Sequence, residues 1–380
     1  MKTNKMSAIF SNQHEYDELL PLTEERTLST LYFAGKYRLM DFPLSSIANA
    51  GIKSVYTLIS AQKVRSYFDH LGGGKEWGFD TIGSYEYMDF YQRLVERQKA
   101  GKPYYSEVIE FLKKGGNPYT VFIGNKMIGN FDLKAVLHYH KLNNNKITGV
   151  FKKTTQENTS PEDEIFKLDQ EGHVVENIPA AEIKDKTSYN LSANVYIADT
   201  DWIIEKLEEI QASNEPVNIA HQLAKLAAQE KSVAYEYTGY LRNIYSVKSY
   251  YDANMDMLDA KKRDSLLYGS QKIITRIRNE VGTYYCQDSD VKESMVATGC
   301  NIYGKLYHSV LSRLVTLGDK SEVSKSIVMA NSHIEEGCKV ENAIIDKNVT
   351  IGPNVTIKGT VDKPIVIKKN SVITEDIVNE

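Results

Sequence analysis

The sequence feature that most constrains the fold is a six-residue repeat near the C-terminus. Three consecutive units begin at Ile345, Ile351 and Ile357, and each has an isoleucine first and a valine fifth. The same spacing is found upstream at Val328, Ile334 and Val340. This period predicts a parallel β-helix, whose stacked coils bury a shared aliphatic column. An antiparallel sandwich of short strands is the alternative, and the regular spacing argues against it.

Such a solenoid also predicts an oligomer. Its coil edges and flat faces are covered most simply by other chains, identical or different. We place the β-helix at residues 291–380, a connection at 256–290 and a first domain at 1–255.

The first domain alternates short apolar runs with helical patterns. This alternation predicts an α/β fold with a mainly parallel sheet and helices on its faces. The predicted strands are Met6–Phe10, Ser54–Ile59, Thr120–Ile123, Ile147–Phe151 and Asn194–Ile197. The predicted helices are Leu44–Ala50, Gln62–Leu71, Tyr105–Lys114, Leu133–Asn143, Asp201–Ala212 and Ile219–Gln229. An acidic and amide-rich stretch, Lys152–Glu164, is predicted to be a solvated loop.

The loop after the first predicted strand is unusual for this class of domain. Nucleotide-binding α/β folds place glycines there, because backbone N–H groups must approach the phosphates. The loop Ser11–Leu20 contains no glycine.

Composition argues against several classes of function. The chain has 380 residues, a net charge of −4 and 25% charged residues, with no basic stripe of the kind that binds nucleic acid. No apolar run approaches the ~20 residues of a membrane helix, and no apolar segment of a signal peptide is found. The cysteines Cys286, Cys300 and Cys338 show no CxxC spacing, so neither a zinc site nor a disulfide framework is indicated. We expect a cytoplasmic protein with reduced thiols and no membrane or nucleic-acid partner.

Several segments resemble, in chain order, the glucose-1-phosphate adenylyltransferase (ADP-glucose pyrophosphorylase) family of glycogen and starch synthesis. They are PLTEER (21–26), GKYRLMDFPLSSIANAGI (35–52), NLSANVYI (190–197), YYDANMDML (250–258) and NAIIDKNVTI (342–351). The resemblance implies a Rossmann-like nucleotidyltransferase domain, a left-handed β-helix after it and a tetrameric assembly. It also implies a reaction of glucose 1-phosphate with ATP that gives ADP-glucose and pyrophosphate, with Mg²⁺ held by carboxylates.

The phosphate loop of that family is altered in this chain. Where the family has GGxGxRLxPLTxxRAKP, the chain has QHEYDELLPLTEERTLS. The resemblance places Gln13, His14 and Tyr16 at the glycine positions, Glu18 at a phosphate-contacting arginine and Leu28 at a lysine. An anion site has therefore lost cations and gained a carboxylate.

The metal positions of the family are altered as well. Its two metal aspartates fall on Asn125 and Asn243. A neutral amide binds Mg²⁺ far more weakly than a carboxylate does. The sugar-phosphate lysine falls on Ala180, and the GTADA segment of the nucleotide pocket is replaced at about Ser106–Phe111. We expect no metal or cofactor in this chain, with Mg²⁺ bound only in a catalytic partner.

Other family positions are retained and could bind a substrate or a sugar-phosphate effector. They are Arg26, Lys36, Arg38, Ser192 and Arg313, with a further tyrosine at Tyr104 or Tyr105. The alternative for the cations is that they are surface charges paired with nearby acids. His308 and His333 lie outside any acyltransferase motif and are interpreted as surface or turn residues. The pairs Tyr250–Tyr251 and Tyr284–Tyr285 fit interface anchors or ordinary core packing.

A preserved scaffold around an altered site indicates the family's non-catalytic, GlgD-type subunit. We expect it to assemble with the catalytic subunit, most simply as a hetero-tetramer, and to raise that subunit's activity. Assembly of this chain with itself stays open. Two other hypotheses also stay open: a working adenylyltransferase, and a sugar-phosphate sensor that acts alone.

Overall fold

The structure, a computed structural model, describes residues 5–12, 15–81, 83–183 and 188–379. The strands of the first domain are β1 (Met6–Asn12), β2 (Tyr32–Phe33), β3 (Tyr37–Arg38), β4 (Ser54–Ile59), β5 (Tyr85–Phe90), β6 (Tyr119–Gly124), β7 (Met127–Ile128), β8 (Ile147–Thr154), β9 (Glu164–Leu168), β10 (Val174–Pro179), β11 (Tyr189–Asp199), β12 (Tyr235–Glu236) and β13 (Arg242–Asn243). Its helices are α1 (Asp41–Asn49), α2 (Arg65–Leu71), α3 (Tyr91–Lys99), α4 (Ser106–Gly115), α5 (Leu133–Leu142), α6 (Thr200–Ala212), α7 (Ile219–Gln229), α8 (Val247–Asp256) and α9 (Ala260–Leu267).

The main sheet has a parallel centre. Strands β6, β1, β4 and β5 lie side by side and parallel, and β11 then pairs antiparallel with β6. Strands β8 and β9 both pair antiparallel with β11, and β10 continues the sheet beyond β9. The carboxyl ends of β1 and β6 therefore lie next to each other, which is where α/β sheets commonly bind ligands.

Both faces of the sheet are buried, which explains the continuous apolar runs of its strands. Ala8 and Phe10 of β1 pack into one cluster with residues of α1 and α5, whereas Ile9 packs into the opposite cluster with α4, α6 and α7. The predicted α/β domain and its five predicted strands are confirmed, with strand and helix ends that move by a few residues. The hairpin β9–β10 and the pair β5–α3 were not predicted.

The prediction of a solvated loop at Lys152–Glu164 is wrong for much of that stretch. Lys152–Thr154 belongs to β8, and Asn158, Ser160 and Asp163 are buried. The amides and acids that suggested solvent exposure bond instead to other buried polar groups, as the site geometry below shows.

The C-terminal domain is a left-handed parallel β-helix, as the resemblance implied. Its strands are β14 (Tyr284–Tyr285), β15 (Asp290–Lys292), β16 (Met295–Val296), β17 (Asn301–Ile302), β18 (Lys305–Tyr307), β19 (Val310–Leu311), β20 (Thr316–Leu317), β21 (Glu322–Ser324), β22 (Ile327–Val328), β23 (His333–Ile334), β24 (Lys339–Glu341), β25 (Ala343–Ile345), β26 (Thr350–Ile351), β27 (Thr356–Lys358), β28 (Ile365–Ile367), β29 (Val372–Ile373) and β30 (Ile377–Val378). They form three parallel ladders, one for each face of the coil.

The register of the coils shows that the six-residue repeat is not strictly regular. Val328 pairs with Ile345, and Ile334 pairs with Ile351 in the next ladder, so one coil takes 17 residues there instead of 18. In that coil one side is therefore a residue shorter than the other two, whereas the offset is 15 residues between β16 and β19 and 22 residues between β25 and β28. The repeat residues Val328, Ile334, Val340, Ile345, Ile351 and Ile357 are all buried in the aliphatic column.

One face of the β-helix packs against the first domain. In the ladder β16–β19–β22–β25–β28, Ile327 and Ile344 point outward and are nevertheless buried. They join a cluster with Phe33, Tyr250 and Leu266 of the first domain. The β-helix and the nucleotidyltransferase-like domain thus share a continuous apolar interface.

The segment 256–290 contains the helix α9 and reaches the first ladder strand at Tyr284. Leu266 and Leu267 at the end of α9 are buried in the interdomain cluster. Within the described residues, no helix is both long enough and apolar enough to cross a membrane.

Candidate functional site

Two of the altered positions, Asn125 and Asn243, lie near the carboxyl ends of β1 and β6. Asn12 ends β1, and Asn125 follows β6 directly. The Asn125 side-chain amide donates to the Asn12 side-chain oxygen at 2.5 Å. Asn243 is brought alongside because β13 pairs with β7, which places Asn243 opposite Met127. The two amide positions named in the sequence analysis therefore lie close together.

A buried ion pair lies at the centre of this site. The Lys126 ammonium donates to Asp163 Oδ1 at 2.5 Å, and both side chains are nearly inaccessible to solvent. Asp163 Oδ2 accepts from the Asn243 side-chain amide and from the Ser160 backbone N–H, each at 2.5 Å. Burial alone would lower the pKa of Lys126, but the Asp163 carboxylate and the Tyr16 hydroxyl outweigh it and raise that pKa. Lys126 therefore stays positively charged although it is buried.

These residues do not fit a magnesium ion. Mg²⁺ requires oxygen ligands in near-octahedral geometry, usually including carboxylates. Asp163, the carboxylate that the Asn243 side chain contacts, is already neutralised by Lys126 and bonded by two N–H groups. Among the residues that the structure describes, no group of three or more His, Cys, Asp or Glu side chains could hold a metal ion. No chemical step of this chain can be derived through a metal here.

The described residues at the altered phosphate-loop positions, Tyr16, Glu18 and Leu28, do not form an anion site. Gln13 and His14 lie outside the described residues. Tyr16 is half-buried beside Lys126, and burial raises the pKa of its phenol. Glu18 is exposed in a short turn, and Leu28 is buried in the interdomain apolar cluster.

A cavity of about 190 Å³ opens beside the ion pair. Its lining is Glu15, Tyr91, Lys126, Glu162, Glu164, Asn194, Asn218 and Ala220. Three carboxylates surround one cation that is already paired, so the potential in this cavity disfavours phosphate.

A second and larger cavity lies between the two domains and has the opposite charge. Its volume is about 1000 Å³. Eight cationic side chains line it: Arg26, Arg38, Arg65, Arg276, Arg278, Arg313, Lys347 and Lys369. Its carboxylates are Glu25, Asp69 and Glu280. We call this cavity the cationic cleft.

The pKa of the Tyr32 phenol reflects the positive potential in the cationic cleft. Its buried position would raise its pKa, but Arg38, Lys347, Arg313 and Arg26 together lower that pKa below its ordinary value. The Arg38 guanidinium lies 3.6 Å from the centre of the Tyr32 ring, a cation–π arrangement. The cleft is therefore suited to an anion.

Three of the retained cations meet in the cationic cleft. Arg26 is buried, with Nη2 donating to the two Asp346 carboxylate oxygens at 2.6 and 2.9 Å. Arg313 lies 3.6 Å from Glu280, and Arg38 donates to the Thr30 carbonyl. The other five cations were missed by sequence analysis, because they come from segments far apart in the chain. The alternating arginines Arg276 and Arg278 were the only local signal.

Two other predicted binding residues lie elsewhere. Lys36 is exposed, with its ammonium 4.9 Å from the Tyr37 ring centre, and it does not line the cleft. The buried Ser192 hydroxyl lies 2.7 Å from the Tyr196 hydroxyl and accepts from the Asn194 backbone N–H at 3.3 Å. Ser192 therefore positions the strand β11 and is not part of either cavity's lining.

The remaining predicted residues line neither of these two cavities. Ala180 is half-buried, and Ser106–Phe111 forms most of α4. Tyr104 is buried and donates to the Glu215 carbonyl at 2.6 Å, and Tyr105 is buried beside it. Tyr250 and Tyr251 are buried at the domain interface, whereas Tyr284 and Tyr285 are about half exposed. His308 is half-exposed and His333 exposed.

Comparison with known protein families shows which family has this architecture. Residues 17–260, more than half of the chain, match the family model of nucleotidyl transferases. The chain belongs to the nucleotidyl transferase family. Residues 281–365 of this nucleotidyl transferase homologue match the GlmU-like C-terminal hexapeptide model, in agreement with the β-helix.

Several individual relatives of this chain are named for glycogen biosynthesis or for glucose-1-phosphate adenylyltransferase. The nucleotidyl transferase homologue is 27% identical over 374 residues to the glycogen biosynthesis protein GlgD of Bacillus subtilis (strain 168), with 98% of each chain covered. It is 29% identical over 377 residues to GlgD of Geobacillus stearothermophilus, covering 98% of this chain and 99% of the relative. Glucose-1-phosphate adenylyltransferase of Acetivibrio thermocellus is 28% identical over 344 residues, covering 88% of this chain and 79% of the relative. The resemblance to the ADP-glucose pyrophosphorylase family is confirmed.

Proposed function

We propose that this chain is the non-catalytic, regulatory subunit of a bacterial ADP-glucose pyrophosphorylase in glycogen synthesis. The observation that carries the proposal is the Lys126–Asp163 ion pair, which joins Asn243 at the position that the resemblance assigns to the metal. Adenylyl transfer depends on positioning the phosphates and stabilising their charge. This site has amides where the family has metal-binding carboxylates, and a glutamate where the family has an arginine. It therefore can neither position the phosphates nor stabilise their charge.

The retained scaffold supports a role in assembly. Three consecutive residues that follow the altered loop form ion pairs with the β-helix. Glu24 lies 3.0 Å from Lys368, Glu25 pairs with Lys369, and Arg26 pairs with Asp346. This segment links the site region of the first domain to the β-helix. A partner that contacts either domain can therefore bias the other, which is the physical requirement for regulation through an interface.

The proposal is tested by mixing this chain with a catalytic glucose-1-phosphate adenylyltransferase from the same organism. We expect the two chains to co-elute and the rate of ADP-glucose formation per catalytic subunit to rise, because contacts with this chain favour the active conformation. An unchanged rate together with separate elution would refute the regulatory role.

We also propose that the cationic cleft binds a sugar-phosphate effector. Arginines bind phosphate through charge-assisted and often bidentate hydrogen bonds, and this cleft concentrates them at the domain boundary. An anion bound there would contact both domains and stabilise one relative arrangement. A sensor that acts without a catalytic partner would use the same cleft, and the mixing experiment distinguishes the two.

The double variant Arg65→Gln with Arg278→Gln is expected to weaken binding of hexose bisphosphates by more than tenfold, because two phosphate-binding cations are lost. Isothermal titration calorimetry measures this change. Both side chains are exposed, so the fold should persist. Arg263→Gln, on α9 outside the cleft, is the matched control and should leave the affinity unchanged. Equal affinities for the double variant and the control would place the effector elsewhere.

A further inference from the structure

The three ladders of the β-helix present different surfaces. The ladder β16–β19–β22–β25–β28 packs against the first domain, whereas the outward residues of the other two ladders are exposed or half-buried. In the ladder β15–β18–β21–β24–β27–β30, the residues Asp290, Lys305, Glu322 and Lys339 lie in register on consecutive coils and alternate in charge. The Lys305 ammonium lies 2.8 Å from the Glu322 carboxylate. We call this ladder the charged face.

The ladder β14–β17–β20–β23–β26–β29 has a different composition, and we call it the neutral face. Its inward residues, such as Ile302 and Ile334, are buried in the aliphatic column, so the residue before each of them points outward. The outward residues lie in register from coil to coil. They are Tyr284, Asn301, Thr316, His333, Thr350 and Val372. None of these six is a lysine, an arginine, an aspartate or a glutamate, and all but Val372 can form hydrogen bonds.

Two tyrosines form an aromatic platform on the first coils of the neutral face. The ring centres of Tyr284 and Tyr303 lie 5.8 Å apart, and the two residues are 52% and 39% exposed. Tyr285, at the end of the same ladder, is also about half exposed. Grouped apolar surface of this kind marks binding sites, whereas single exposed side chains are common everywhere. A tyrosine offers an apolar ring face together with a hydroxyl group, so it can contact both the C–H and the O–H groups of a sugar.

The chemistry of the neutral face favours a ligand with many hydroxyl groups and no charge. A charged ligand would lose hydration there without meeting an opposite charge in the outward column. Hydroxyl groups can both donate to and accept from the side chains of Asn301, Thr316 and Thr350. Neighbouring strands lie about 4.8 Å apart, a distance comparable to one hexose unit. A polymer of sugars can therefore repeat its contacts from coil to coil.

We infer that the neutral face binds a neutral polysaccharide chain, with sugar rings stacked on Tyr284 and Tyr303. The hydroxyl groups of the following sugars bond to the outward side chains of Asn301, Thr316 and Thr350. The choice of an α-linked glucan as the polymer rests on the proposed role in glycogen synthesis. The chain then has two separate binding surfaces: the cationic cleft for a phosphorylated ligand and the neutral face for an uncharged polymer.

Co-sedimentation of the full chain with glycogen particles in the ultracentrifuge tests the inference. We expect the protein to pellet with glycogen and to stay in solution without it, because the many chains of one particle raise the effective concentration of weak sites. The double variant Tyr284→Ala with Tyr303→Ala should raise the apparent dissociation constant at least about tenfold, since aromatic anchors dominate such contacts. Tyr268→Ala, which removes an exposed tyrosine at the end of α9, is the control and should change nothing.

A second pair of variants tests the outward column. Thr316→Lys places a long side chain across the path of the polymer and should weaken pelleting with glycogen. Ser324→Lys introduces the same side chain on strand β21 of the charged face and should have no effect. Thermal unfolding of each variant, followed by circular dichroism, shows whether lost binding reflects lost fold.

Ionic strength distinguishes the neutral face from the cationic cleft. Salt screens interactions between charges, so binding of an uncharged polymer should persist at high salt. Loss of pelleting at high salt, or displacement of glycogen by a hexose bisphosphate, would overturn the inference. The absence of pelleting, or equal pelleting of wild type and the double tyrosine variant, would overturn it as well.

Sedimentation velocity without glycogen tests whether the neutral face contacts another protein chain instead. A double tyrosine variant that changes the oligomeric state and still pellets with glycogen as wild type does would assign the tyrosines to a subunit contact and contradict the inference. These outcomes leave the mixing experiment with the catalytic subunit unaffected, so the regulatory proposal and this one fail separately.

Discussion

Replacing Arg26 with alanine is expected to destabilise the protein by about 3–5 kcal/mol, the range found when one partner of a buried ion pair is removed. The Arg26 and Asp346 side chains are only 6% and 2% exposed, so the Asp346 carboxylate would stay buried without its cation. Arg26 Nη1 also contacts the Met329 sulfur at 3.5 Å, a packing contact that alanine would lose. Denaturant unfolding of the full chain, compared with wild type, measures the change.

Lys369→Ala is the matched control for Arg26→Ala. Lys369 pairs with Glu25 across the same domain boundary, but Glu25 is 54% exposed. Exposed pairs contribute about 0–1 kcal/mol, so the control should change stability by no more than that. A second variant, Arg26→Met with Asp346→Leu, should recover much of the loss, because both charges are removed together. If Arg26→Ala costs no more than Lys369→Ala, the ion pair does not hold the domains together.

Lys126→Met is expected to have a comparable effect, about 3–5 kcal/mol of lost stability. Lys126 and Asp163 are 6% and 0% exposed, and methionine keeps the length of the side chain while removing its charge. The Asp163 carboxylate would keep the N–H bonds from Asn243 and Ser160 and lose the cation that balances its charge. Thermal or denaturant unfolding measures the loss.

The control for Lys126→Met is Lys153→Met, on strand β8 of the same domain. Lys153 pairs with Glu236, and the two side chains are 61% and 42% exposed, so a change of less than about 1 kcal/mol is expected. Lys126→Met with Asp163→Asn should be more stable than Lys126→Met alone, because no unpaired charge is then buried. Equal stability of the single and double variants would mean that Lys126 does not balance Asp163.

The repetitive parts of the fold could be predicted from the sequence, because periodicity is a local property. The β-helix follows from the isoleucines at 345, 351 and 357, and the parallel sheet from apolar runs such as Ser54–Ile59. The 17-residue coil was not predicted, since one side of the coil is a residue shorter and only the ladder register shows which residues pair.

The chemistry of the sites was only partly predictable. The amides Asn125 and Asn243 were named from the resemblance, but the ion pair beside them joins Lys126 to a residue 37 positions away in a stretch interpreted as a loop. The composition of that stretch gave no sign that Asp163 would be buried. Asn194 was part of a matched segment, yet its positive φ and its place at a strand irregularity could not be read from the spacing of residues.

The cationic cleft illustrates the same limit. Arg26, Arg38 and Arg313 were expected to bind an effector, and they do line one cavity. The sequence could not show that Lys36, two residues before Arg38, points elsewhere, or that Lys347 and Lys369 of the β-helix complete the cleft. Such a site between domains is set by how the domains pack.

We propose that the altered site of this chain performs no adenylyl transfer. This proposal is tested by pyrophosphate release from ATP and glucose 1-phosphate in the presence of Mg²⁺, measured with the purified chain alone and with an equal concentration of a catalytic relative. The account predicts release at the level of the enzyme-free background for this chain and rapid release for the relative. Mg²⁺-dependent release by this chain alone, above the enzyme-free background, would contradict it.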